Sequence, residues 1–195
     1  MLNIPEYKEY GGETKIALMD NSSLAFMHEL SQRSYPSDGI LSVYDLILIP
    51  KWVMEEIEDS TYRSTYVEQL QAKGYPIRWI DETKYGAFVN DEDVNLYYIV
   101  EAAVSRVSEL MRFLRRKVKT EDLIDLPSAE EWMNRLYDEW PIHGRTLSTG
   151  RALKKNAGEI SLTILAEIFA WYHDEVDSLT IYTVPVMVGK GIGFV

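Results

Sequence analysis

Three carboxylates in this chain stand where helices are expected to begin. They are Asp20 in Lys15-Ile16-Ala17-Leu18-Met19-Asp20-Asn21-Ser22-Ser23, Glu56 in Ile49-Pro50-Lys51-Trp52-Val53-Met54-Glu55-Glu56-Ile57, and Glu159 in Asn156-Ala157-Gly158-Glu159-Ile160. Mg²⁺ and Mn²⁺ prefer oxygen ligands and keep several waters, so a few acids suffice for a site without a closed cage. Such an ion positions a water, lowers its pKa and stabilises the charge developing on a phosphodiester. Spacing alone does not bring the three together, and a single Asp after a strand is commonly a helix cap or turn former. Arg145, Arg151, Lys154 and Lys155 lead directly into the Glu159 segment. A nucleic-acid backbone held by them would pass close to the acids. The plainer reading is a solvated helix start, although cations at a helix N-terminus oppose its dipole.

The elements that must position these residues follow from pattern. Residues 15–20 read as a buried strand, with Ser22 or Ser23 capping a helix through Gln32. Residues 44–49 form a second apolar strand closed by Pro50, which suits the first turn of a helix over 51–59. A further helix runs through Leu70 to a stop at Gly74, and residues 75–80 make a third strand. Apolar residues recur at helical spacing from Asp93 to Val118, and Ser128-Ala129-Glu130-Glu131 resembles a capping box for a helix to Trp140. Residues 141–150 read as loop, 157–172 as the most hydrophobic helix, and 179–184 as a fourth strand that 185–188 extends or follows. Strands alternating with helices predict an α/β fold: a mostly parallel central sheet of about four to five strands flanked by helices. Residues 1–195 are expected to form one domain, with 82–140 as an inserted helical segment.

Composition narrows the function classes. A net charge of -11 argues against a general nucleic-acid coat, leaving room for local basic patches. The absence of cysteine excludes disulfides and thiolate metal sites and is compatible with a reducing, cytoplasmic setting. Residues 1–14 carry Glu6, Glu9 and Glu13 and do not read as a secretory signal, and no apolar run reaches membrane-spanning length. Gly189-Lys190-Gly191-Ile192-Gly193 lacks the spacing of a phosphate-binding loop, and His28, His143 and His173 are too scattered for a zinc site. Trp52, Trp132 and Trp140 are expected in the core rather than stacked on bases. The basic run from Arg112 is read as favourable charge at a helix C-terminus.

With these words in order, the chain resembles the PIN-domain family of metal-dependent ribonucleases, many of them toxins. The likeness rests on the Asp20 strand, the Glu56 segment, and the Gly158-Glu159 helix through Ala166. It implies Asp20, Glu56 and Glu159 as ligands of Mg²⁺ or Mn²⁺, and Ser22 as a polar support for the metal or a phosphate. Glu55 is the register alternative to Glu56, and Asp91-Glu92-Asp93 is a rival source of the third acid. The implied activity is endoribonuclease cleavage of RNA, with an antitoxin protein as inhibitory partner, and a homodimer is left open. The family commonly carries another Asp after its fourth strand, where this chain reads Thr183-Val184-Pro185. The alternative is therefore a catalytically degenerate PIN-like scaffold that binds RNA or a partner protein. A small-molecule phosphatase using the same acids is a third reading.

Overall fold

Apolar runs buried on both faces need a sheet held between two layers of helices, and that is the arrangement formed. A computed structural model describes residues 2–35, 37–90, 93–118, 125–148 and 150–183. The expectations for Asp91, Glu92 and the glycine alternation after residue 188 lie outside the described residues, as do Val184 and Pro185. The central strands are β1 (Lys15–Met19), β2 (Leu46–Pro50), β3 (Ile77–Ile80) and β6 (Ser178–Tyr182). Their order is β3-β2-β1-β6 and every pairing is parallel. The helices are α1 (Asn21–Gln32), α2 (Lys51–Glu58), α3 (Thr61–Ala72), α4 (Asp93–Val104), α5 (Ser108–Lys117), α6 (Ala129–Asp138) and α7 (Ala157–Tyr172). Short 3-10 helices occupy Ser37–Val43 and Glu82–Phe88, and β4 (His143–Thr146) pairs with β5 (Ala152–Lys154) as a separate antiparallel hairpin.

Alternation along the strands separates two cores. Ile16, Leu18, Leu46, Leu48 and Ile80 face the layer of α4 to α7. Ala17, Met19, Ile47, Ile49 and Ile77 face the layer of α1 to α3. The helices over 82–140 extend the first core: Trp132 and Trp140 are 0% and 2% exposed, and Leu96, Tyr97 and Val100 pack with Ile164, Leu165 and Ile168 of α7. Trp52 is buried too, stacked on Tyr137 at 4.8 Å. Among the described residues no helix is long and apolar enough to cross a membrane.

Two local expectations change. The apolar pattern from Asp93 to Val118 is two helices, broken where Val107 is extended at φ -115°, ψ 93°. The turn brings Arg115 of α5 to Glu101 of α4 at 3.0 Å. A shared apolar face over both helices looks like one helix in sequence. Part of the expected loop at 141–150 is strand β4, all of whose residues are exposed and therefore show no alternation.

The order of strands matters for function. The chain steps outward from β1 to β2 to β3, and β6 then returns to the opposite side of β1. Open parallel sheets place ligand crevices beyond the carboxyl ends of strands at such a reversal. Asp20 follows β1 at that point.

Candidate acid site at the carboxyl edge of the sheet

Asp20 lies between β1 and β6, its N–H donating to the Tyr182 carbonyl at 3.0 Å. It is 9% exposed and is itself the N-cap of α1, with extended backbone at φ -89°, ψ 156°. Its carboxylate accepts from the N–H of Asn21 at 2.7 Å and of Ser22 at 3.4 Å, and from the Ser22 hydroxyl. The cap is thus Asp20, not Ser22 or Ser23, because the turn out of β1 comes one residue earlier and a carboxylate suits the positive helix end. Ser22 supports the acid rather than standing apart from it.

Glu56, expected near a helix start, sits instead in the last turn of α2, which begins at Lys51 and ends at Glu58, and faces this corner. Asn21 Nδ2 donates to its Oε2 at 3.1 Å. Burial, and then the negative charges of Asp20 and Glu159, push the Glu56 carboxyl up to about 7, while the Asn21 hydrogen bond and Arg145 oppose the rise. Glu159 is exposed in the first turn of α7, where a carboxylate is favoured by the helix dipole. Gly158 explains why the two helices can meet. A Cβ there would lie 3.0 Å from Val53 Cγ2 and 3.7 Å from Glu56 Oε1. The structure therefore brings Asp20, Glu56 and Glu159 within electrostatic reach of one another. Among the described residues, no group of three or more His, Asp or Glu side chains forms a ready-made metal-binding set. Asp20 is turned onto its own helix and Glu56 onto Asn21, so a shared ion requires side-chain rotation. The donor chemistry, all hard oxygen, suits Mg²⁺ or Mn²⁺.

Glu55 points elsewhere. Its Oε2 accepts from the Tyr137 hydroxyl and from Arg151, and burial followed by Glu55 raises the Tyr137 phenol. Beside it a cleft of about 740 Å³ is lined by Leu2, Glu55, Glu58, Asp59, Leu147 and Arg151 among others, with none of the three acids in its lining. The basic residues divide accordingly. Arg151 is held by Glu55, and Lys154 donates to the Tyr137 carbonyl and lies over the Tyr137 ring at 3.5 Å. Arg145 is 3.8 Å from Asp59 and close enough to Glu56 to lower its proton affinity. Lys155 is exposed, and its backbone carbonyl accepts from Trp140 Nε1 at 3.1 Å. The four form no single patch; Arg145 stands nearest the acids' field.

Three residues escaped sequence reasoning. Asn21 orients Glu56 and leaves its own Oδ1 buried without a partner among the described residues. Arg63 of α3 donates to the Glu56 carbonyl at 3.1 Å, and burial, then Arg145, lowers its proton affinity. Glu82 is fully buried and accepts hydrogen bonds from Trp52 of α2 and Ser161 of α7. Only Asn21 had a local signal, its place next to Asp20; the others depend on partners far along the chain. At the end of β6 the next residue is Thr183, and the Tyr182 hydroxyl meets that of Tyr44 at 2.9 Å.

Fold and site together define an α/β chain with an acidic cluster at the carboxyl edge of a parallel sheet. Compared with protein-family models, curated proteins and solved structures, the sequence and fold give no match.

Proposed function

We propose that this protein is a PIN-like, divalent-cation-dependent endoribonuclease in which Asp20, Glu56 and Glu159 hold Mg²⁺ or Mn²⁺. The observation that carries this reading is that acids from three separate elements, Asp20, Glu56 and Glu159, lie within electrostatic reach of one another near the sheet's reversal point. When bound, the cation supplies Lewis acidity and an acidified water. The chain's own residues do the rest. Ser22 orients Asp20, Asn21 orients Glu56, and Arg63 and Arg145 offer positive charge beside the acids for a phosphodiester. The resemblance extends the proposal to a toxin restrained by an antitoxin protein.

The test is cleavage of single-stranded RNA with Mg²⁺ or Mn²⁺ by the wild type and by Asp20→Asn. Asn caps a helix about as well as Asp, so α1 stays in place while a charged ligand is lost. Metal-dependent cleavage is expected to disappear. Undiminished cleavage by Asp20→Asn rejects the site.

A second reading, the inactive RNA- or protein-binding scaffold, is favoured by Thr183 after β6 in place of an acid. Calorimetry with Mn²⁺ separates them: the scaffold predicts no binding by the wild type.

A further inference from the structure

The Glu82 carboxyl lies wholly inside the protein. Its Oε1 accepts from the Trp52 N–H at 3.0 Å and from the Ser161 hydroxyl at 2.9 Å. The Tyr85 hydroxyl is 2.7 Å from Ser161 Oγ, so Tyr85 donates to Ser161 while Ser161 donates to Glu82. Its Oε2 is buried without a hydrogen-bond partner among the described residues. A buried carboxyl with one unsatisfied oxygen is costly, and a hydrophobic residue could fill the space at less expense. Its presence calls for a positional reason.

The partners supply one. Trp52 is in the first turn of α2, whose N-cap residue Pro50 makes no side-chain cap. Glu82 provides that missing acceptor from a different element, and its neighbour Asp81 pairs with Lys51 at 2.6 Å. Trp52 stands about one helical turn before Glu56. Ser161 is in α7, just beyond Glu159. A single oxygen therefore links the two helices that carry Glu56 and Glu159.

We propose that Glu82 is a positioning residue for the acid cluster, its Oε1 fixing α2 against α7 and hence Glu56 against Glu159. The helix link stands on the hydrogen bonds alone; its functional consequence rests on the acid-site reading above. Because an amide oxygen accepts the same two bonds, Glu82→Gln keeps the link, whereas Glu82→Leu fills the space and breaks it. Ser161→Ala removes only the α7 side.

The experiment combines amide hydrogen exchange with Mn²⁺ calorimetry on the full chain and these three variants. In Glu82→Leu, protection is expected to fall together in the first turns of α2 and α7 while β1 and β2 keep theirs. Mn²⁺ affinity is expected to fall about tenfold or more, as for other residues that orient metal ligands. Glu82→Gln should stay within about threefold of wild type, and Ser161→Ala should lie between the two. Wild-type protection and affinity in a folded Glu82→Leu overturn the proposal, as does a Glu82→Gln that behaves like Glu82→Leu. If Glu82→Leu does not fold, Ser161→Ala decides: unchanged protection of α7 and unchanged affinity reject the link. If the wild type binds no Mn²⁺, the metal reading fails by itself, and hydrogen exchange alone upholds or rejects the positioning role.

Discussion

Asp20 serves two demands with the same oxygens. It caps α1 through two backbone N–H groups and the Ser22 hydroxyl, and it adds negative charge beside Glu56. Glu56 bears the consequence, its carboxyl pushed up to about 7 by burial and then by Asp20 and Glu159. In an unfolded chain a Glu titrates near ~4.3. Between those values the folded state binds the proton more tightly, so stability falls as pH rises from about 4.3 to about 7 and the full penalty persists above. Glu56→Gln removes that penalty. Its Tm in EDTA is expected to exceed wild type at pH 8 by about 2–4 °C, on the order of 1 kcal/mol after solvent screening, and to match it at pH 4. Equal melting at both pH values would show that neither burial nor the neighbouring acids strain Glu56.

At the scale of elements, α2 joins the layers around the site. One side sends Glu56 toward Asp20, and the adjacent Glu55 anchors Tyr137 of α6 and Arg151 beside β5. Asp59, just after α2, accepts from the Ser148 N–H at 2.7 Å and the Ser148 hydroxyl at 2.5 Å, tying the β4–β5 hairpin to the same helix. The α2–α7 contact depends on Gly158, since the missing Cβ is what separates contact from overlap with Val53. In an isolated helix, Gly158→Ala would gain about 1 kcal/mol of helix propensity. Here overpacking costs about 1–3 kcal/mol, so net destabilisation is expected in urea denaturation. A more stable Gly158→Ala would mean that the helices have room to part.

For the whole molecule, the sheet has a guarded side. The N-terminal segment runs along β3, with the Tyr7 N–H donating to Trp79 at 2.7 Å and the Trp79 N–H donating to Pro5 at 3.1 Å. Leu2, Ile4 and Tyr7 are buried there. Removing residues 1–7 uncovers both the edge and the apolar surface beneath it, and light scattering is expected to report self-association that the full chain lacks. Monodisperse behaviour after truncation would show that β3 needs no cover. The net charge of -11 also means that any RNA contact near Arg63 and Arg145 must be local.

By itself the sequence determined the layered fold. Strands such as Ile16-Ala17-Leu18-Met19 and Leu46-Ile47-Leu48-Ile49 are continuous apolar runs because both faces are covered, and such runs are legible without coordinates. It also placed Asp20 at a strand end and Glu159 early in a helix, whereas Glu56, expected near a helix start, lies in the last turn of α2. Only the tertiary structure decided that Glu56 rather than Glu55 joins Asp20, that Arg151 and Lys154 are engaged with Glu55 and Tyr137, and that Glu82 links α2 and α7. The physical reason is range. Periodicity and capping are properties of a few neighbouring residues, whereas these pairings join side chains that come together only when the layers pack.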